Sequence, residues 1–264
     1  MLKQLLLISA FTLSHPAHAG NSTIESFSRA KKLLPQVYQG MEKTFYCNCQ
    51  YQGKALLTES CSYRPRKTAS KRARRIEWEH IVPASDFGRS FKVWREGHSS
   101  CVAKNGKKFR GRNCARKVSV EFRRMEADLY NLVPSIGEIN NIRGNKPAGK
   151  VLSRIKDNTL PGCSTRISKE FVEPANEIKG FVARVYKYMH HAYPGHGIIS
   201  RKNQKLFDAW DRQYPPGREE KKRAEKIFKL QGNKNHFVLK DLQKHQDKVQ
   251  PKIPKNSDRK SLAN

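Results

Sequence analysis

The sequence predicts an α+β chain, a single mixed domain stapled by disulfides, and three observations lead to that expectation. Strand-type segments crowd the first third of the chain, and helical spacing takes over from Met125 onward. Six cysteines, an even number, lie between Cys47 and Cys163 behind a leader-like start. With 37% hydrophobic residues and aromatics recurring through its middle, the 264-residue chain has material for a core, which excludes wholesale disorder. Its one long apolar run sits at the extreme N-terminus, which excludes a multi-span membrane protein and any stable membrane insertion of the body.

Taken in order, residues 1–19 begin with Lys3, run through Leu5, Leu6, Leu7, Ile8, Ala10, Phe11 and Leu13, and end in Ala17-His18-Ala19. A charged start, a short apolar stretch and an A-x-A site read as a signal peptide cleaved near Ala19, because the run is too short to span a bilayer. Export to the periplasm or the medium follows. An oxidising compartment then favours up to three disulfides over structural zinc, since the only close pair is Cys47-Asn48-Cys49 and not C-x-x-C. Fifteen pairings of six cysteines are open at this point.

The body occupies 20–238. Ser26 to Gln36 suggests a first helix broken around Pro35. Thr44 to Leu57, with Phe45, Tyr46, Tyr51 and Gly53, suggests strand and hairpin. Arg64 to Arg75 holds seven basic residues and no acid, so it is solvated or faces an anion. Ile76 to Pro83 reads as a strand ended by proline. Residues 95–117 form a long, basic, Gly-containing insertion held at two points by Cys101 and Cys114. Met125, Leu129 and Leu132 recur at helical spacing, with Pro134 as the stop. Pro174 to Tyr193 and Arg201 to Tyr214 are the clearest helices, and 239–264 is a basic, disordered tail. Trp78, Trp94 and Trp210 are assigned to the core. His190, His191 and His196 are read as placement near a helix C-terminus and not as a metal cluster.

Fifty-three Lys and Arg against 23 Asp and Glu give a formal charge of +30, which predicts a polyanionic partner. Cutting such a partner at phosphodiester bonds needs a base to activate water, a cation to neutralise developing charge, and a proton for the departing oxygen. Glu79 and His80 offer a carboxylate and a base side by side at a strand end, and Asn131 offers an amide oxygen. One carboxylate and one amide suit a magnesium-like ion that keeps most of its waters. No H-E-x-x-H and no phosphate-cradling G-x-x-x-x-G-K-S/T loop occurs.

Further stretches sharpen this. RRIEWEHIVPA (Arg74 to Ala84), FYCNC (Phe45 to Cys49) and MEADLYNLVPSIGEINNIRGN (Met125 to Asn145) resemble the signatures of the bacterial endonuclease I family. ARVYKYM, LFDAWDRQYP and KIFKLQGNKNHFV follow in the same order, so the resemblance runs from about Ser26 to Val238. It implies a ββα-metal (His-Me finger) site in a periplasmic or secreted, largely sequence-nonspecific, metal-dependent endonuclease. The implied metal is magnesium, with calcium or manganese as substitutes. The implied substrates are DNA and RNA, held mainly through the phosphate backbone and cut to leave 5′-phosphates. The resemblance makes His80 the general base and Glu79 and Asn131 the metal ligands. The phosphate contact falls to Arg112, or Arg110 in the alternative register, because the sequence before Asn113-Cys114 departs from the usual G-G-R-K. Apart from the resemblance, Arg143-Gly144-Asn145 reads as a turn, with Arg143 a candidate backbone-phosphate contact.

Two departures stand out. The family's late cysteine pair is missing, and Val93 occupies the place of an early family cysteine while Cys101 lies in the longer insertion, where it could take over that pairing. The expected enzyme is a monomer. Two other readings are a basic secreted protein that coats nucleic acid without cutting it, and a membrane-active toxin. The first gives no reason to keep Glu79, His80 and Asn131 together, and the second needs a basic amphipathic helix as its main feature.

Overall fold

The computed structural model describes residues 20–66, 70–154 and 161–239; the leader and most of the basic tail, from 240 on, lie outside the described residues. Within them the chain runs α1 (Phe27–Tyr38), β1 (Tyr51–Gln52), β2 (Ala55–Leu56), β3 (Ile76–His80), α2 (Ala84–Gly88), α3 (Lys92–Glu96), α4 (Arg112–Val118) and α5 (Val120–Glu126). It continues through β4 (Leu132–Ile136), α6 (Gly137–Arg143), β5 (Arg166–Ile167), β6 (Val172–Glu173), α7 (Asn176–Ala192), α8 (Arg201–Gln213) and α9 (Arg218–Gln231). This is an α+β fold with small antiparallel sheets.

The site is positioned by β3, β4 and α6. β3 pairs antiparallel with β4 in a register that sets Glu79 opposite Val133 and His80 opposite Leu132. α6 follows β4 directly and packs against both strands. The strand at 76–80 is the one the alternation predicts, and Pro83 lies just past its end.

The helix expected through Leu132 is a correction. α5 stops at Glu126, Leu129–Asn131 makes a single 3-10 turn, and Pro134 sits inside β4. A proline is tolerated there because the Pro134 carbonyl faces away from β3 and accepts from Phe45 N (2.8 Å). The N–H it lacks would point the same way, so no β3–β4 ladder bond is lost. Pro35 likewise does not break α1, which continues to Tyr38. The lost hydrogen bond is offset by burial of Val37 and Tyr38, and Tyr38 donates to Leu132 O (3.1 Å).

α7 and α8 form the main helical pair, and α9 packs on α1. The sequence pattern does not reveal α9, because its buried face is only Arg223, Ala224, Ile227 and Gln231. Arg223 donates to Tyr38 Oη (2.8 Å) and to the carbonyls of Leu129, Tyr130 and Leu132, tying α9 to the start of β4. Arg184 on α7 pairs with Asp211 (3.0 Å) and Glu220 (2.5 Å), joining the last three helices. Trp210 is buried, and Trp78 and Trp94 pack half-buried against the same core, as expected.

All six cysteines pair: Cys47–Cys163, Cys49–Cys61 and Cys101–Cys114. The first closes 116 residues of sequence. Opening so long a loop in the unfolded chain costs up to about 4–5 kcal/mol of stability in the chain-entropy account. The double variant Cys47→Ser/Cys163→Ser should therefore melt well below the oxidised parent in calorimetry, and an unchanged midpoint would show that bridge to be dispensable.

Candidate active site

A cavity of about 860 Å³ opens where α1, β3, α4 and α6 meet. Glu79, His80, Arg112, Asn140 and Arg143 line it, and Lys31, Lys32, Lys54 and Arg75 make much of the remaining wall cationic. Successive side chains leave a strand on opposite faces, so the adjacent Glu79 and His80 meet different surroundings before converging on this opening.

His80 is buried at 7% exposure. Its Nε2 lies 2.8 Å from the main-chain oxygen of Glu126, which can only accept, so Nε2 holds the proton and Nδ1 carries the free lone pair. The ring packs against Phe27 with centroids 4.9 Å apart. Burial, then the Arg112 charge, depress its pKa to about 4. Near neutral pH the imidazole is therefore uncharged and able to take a proton at Nδ1.

Glu79 is 2% exposed. Its Oε1 accepts from Tyr46 Oη (3.3 Å) and lies 3.2 Å from Arg143 Nη1. Its Oε2 is buried with no hydrogen-bond partner; the nearby Ser135 hydroxyl donates instead to Ile136 O (3.3 Å). Burial raises the carboxyl pKa, against the opposing Arg143 guanidinium.

Arg143 ends α6 and turns back onto β3, donating to His80 O (2.5 Å) and Ile81 O (2.6 Å). Its two Nη groups thus hold the carbonyls of His80 and Ile81, while its Nε has no hydrogen-bond partner among the described residues and the side chain lines the cavity, where the sequence suggested a phosphate contact. Arg110 lies outside the cavity, exposed, with its nearest acceptor at Arg95 O (3.5 Å). Arg112 is the arginine that reaches the wall. Its Nε donates to Glu126 Oε1, and Glu126 also takes Arg116 Nε (2.6 Å). Buried Glu126 consequently aims Arg112 with its carboxylate while its carbonyl fixes the tautomer of His80.

Asn131 is not in the cavity lining. It is fully buried in the 3-10 turn and not on a helix. Its Oδ1 accepts from Val82 N (2.7 Å) and its Nδ2 donates to Val82 O (3.0 Å), latching the turn after His80. The asparagine that does line the cavity is Asn140 on α6. Its Nδ2 donates to Glu77 Oε2 (2.9 Å), and its Oδ1 accepts nothing from the described residues. The sequence alone does not single out Asn140, although the N-N pair at 140–141 lies within the quoted stretch. Only the strand assignment of 132–136 moves the helix, and with it the outward amide, downstream. Asn131→Ala should lower stability by about 1–3 kcal/mol through loss of both Val82 bonds. Asn140→Ala should leave the melting temperature nearly unchanged and lower turnover; the opposite pattern would return the functional role to Asn131.

Among the described residues no group of three His, Cys, Asp or Glu forms a metal cluster; His190 and His191 are exposed in the last turn of α7. The unpartnered Glu79 Oε2 and the Asn140 Oδ1 are a sparse oxygen set, of the kind that suits a hydrated divalent cation finishing its shell with water and phosphate.

A neutral imidazole beside a carboxylate with one unpartnered oxygen, under cationic walls, has the chemistry to act on a polyanion, and comparison with known proteins makes the chain an endonuclease. It matches the Endonuclease I family over residues 25–241. An extracellular deoxyribonuclease of Aeromonas hydrophila is 40% identical over 252 residues, covering 92% of this chain and 100% of that protein. A periplasmic deoxyribonuclease of Aeromonas hydrophila is 40% identical over 227 residues, 83% of this chain and 87% of that one. Endonuclease-1 of Buchnera aphidicola subsp. Acyrthosiphon pisum is 34% identical over 238 residues, 89% and 88% of the two chains. The chain belongs to the endonuclease I family.

Proposed function

We propose that this chain is an exported, divalent-metal-dependent endonuclease that hydrolyses DNA, and RNA, with little sequence preference. Residues 20–238 form the nuclease domain, released from the leader near Ala19. The observation that supports this reading most is the pairing of His80, neutral with Nδ1 free, with the unpartnered Oε2 of Glu79 in one basic cavity. The β3–β4–α6 arrangement supports its assignment as a ββα-metal unit.

Glu79 and Asn140 would hold the metal, magnesium being the ion best suited to so few protein oxygens. When bound, such an ion supplies positive charge to the phosphate oxygens and acidifies its waters. The chain's own residues do the rest. Arg112 faces the phosphate with the N–H groups that Glu126 leaves free, stabilising charge as it develops. His80 Nδ1 removes a proton from water while the water oxygen bonds to phosphorus. The bond from phosphorus to the 3′ oxygen breaks, that oxygen takes a proton from a cavity water, and the phosphate stays on the 5′ end. Phe27, Glu126 and Arg143 keep the base in place throughout.

Purified, oxidised protein should nick supercoiled plasmid and degrade RNA in magnesium, and excess EDTA should stop both. A plasmid band that shifts but is never cut in any divalent metal would turn the reading to a nucleic-acid-coating protein.

A further inference from the structure

The stretch 97–119, which spans most of the insertion, holds seven Lys and Arg and no Asp or Glu. Val102 and Lys108 form an antiparallel bridge, Ala103 N donates to Lys107 O (2.9 Å), and Phe109 N donates to Cys101 O (2.9 Å). Gly106 makes the tip with a left-handed φ of 78°, and the Asn105 side chain accepts from Lys107 N (3.2 Å). The base is clipped by the Cys101–Cys114 disulfide, by Lys117 Nζ on Ser100 O (2.5 Å), and by Gly111 N on Trp94 O (3.0 Å). A hairpin fixed at so many points has a defined direction, which a solvated basic loop lacks.

Its cations are not all spent on that architecture. Lys117 pins the base, and Arg112 and Arg116 are paired to Glu126. Lys104, Lys107 and Lys108 are exposed and form no ion pair among the described residues. Holding three like charges on one short hairpin is repulsive unless an anion is brought to it. The arm also ends at the active site. Lys108 precedes Arg112 by four residues, so their Cα atoms are at most about 14 Å apart, or about four nucleotide rises along one strand.

We infer that the disulfide-clipped hairpin 101–111 is a second phosphate-binding site. Through Lys104, Lys107 and Lys108 it holds the backbone of the nucleic acid a few nucleotides away from the phosphate being cut. The inference rests on the nuclease reading and adds to it an extended footprint, with longer substrates bound more tightly than short ones. Arg112 holds the scissile phosphate and the arm holds its neighbours.

The test is the variant Lys104→Ala/Lys107→Ala/Lys108→Ala, assayed on duplexes of increasing length at several salt concentrations. A second triple variant at exposed lysines of other helices, Lys202→Ala/Lys205→Ala/Lys229→Ala, controls for general loss of charge. On a long duplex the arm variant should raise KM on the order of tenfold with kcat within about twofold, and flatten the log–log salt dependence of binding by about two to three. On a duplex with only one or two nucleotides flanking the cut it should match the parent. Its melting temperature should stay close to the parent's, since these side chains are exposed and make no hydrogen bond or ion pair among the described residues. Equal losses on short and long duplexes, equal losses in the control variant, or an unchanged KM and salt slope would each overturn the arm. A parent protein that binds but never cuts would instead overturn the nuclease reading, and the salt slope of binding would still judge the arm.

Discussion

His80→Ala should slow single-turnover cleavage by about 10²–10⁴-fold while leaving the Kd for duplex DNA within a few-fold of the parent. The asymmetry follows from where the ring acts. It is buried, uncharged near neutral pH, and bonded through Nε2 to a main-chain carbonyl, so it adds little to the attraction between protein and phosphates. Its contribution is made when a proton leaves water, and only interactions stronger in the transition state change turnover. The space left beside Phe27 admits a small base, so added imidazole should restore part of the rate. Near-parental cleavage by the variant would dismiss His80 as the base. Weakened binding with unchanged turnover would recast it as a substrate contact.

Glu79→Ala has two expected effects that arise from different atoms. Loss of Oε2 removes the one buried carboxylate oxygen without a hydrogen bond among the described residues, and cleavage with its response to magnesium should disappear. Loss of Oε1 strands Arg143, a buried guanidinium 3.2 Å away, and an uncompensated buried charge costs about 3–5 kcal/mol. For a chain of this size the melting temperature should fall by roughly 6–20 °C. Glu79→Gln separates the effects. It keeps an oxygen for Tyr46 and Arg143 and should recover part of the stability, with calorimetry as the readout. It lacks the negative charge, and should remain inactive in the plasmid assay. An active Glu79→Gln would place the metal elsewhere.

Much of this site was legible in the sequence because it depends on local pattern. Alternation through Ile76-Glu77-Trp78-Glu79-His80, closed by Pro83, gave the strand and placed a base next to a carboxylate. Apolar spacing gave α7 and α8. The details that failed depend on contacts distant in sequence. Pro134 looks like a helix stop until Phe45 is seen to take its carbonyl, and that choice decides whether Asn131 or Asn140 faces the cavity. Arg143 was read as a backbone-phosphate contact, and nothing local shows that the carbonyls of His80 and Ile81 also lie within its reach. Arg110 and Arg112 differ by two residues. Only Glu126, from the next helix, draws Arg112 into the wall. α9 was hidden because a buried arginine on its inner face breaks the apolar rhythm, and that arginine is satisfied by carbonyls about ninety residues earlier in the chain.

The basic arm illustrates the complementary case. Its charge was plain in the sequence, but its fixed direction depends on the Cys101–Cys114 pairing and on the bond from Gly111 to Trp94. The same disulfide anchors Cys114 in the helix that begins with Arg112, so one crosslink braces both the arm and the phosphate contact.

In the proposed mechanism, water deprotonated at His80 attacks phosphorus and expels the 3′ oxygen. That mechanism is tested most directly by cutting a defined duplex once in ¹⁸O-labelled water and weighing the product ends. The expected result is one labelled oxygen in the new 5′-phosphate and an unlabelled 3′-hydroxyl. A label on a 3′-phosphate, or cleavage without incorporation, would contradict the account.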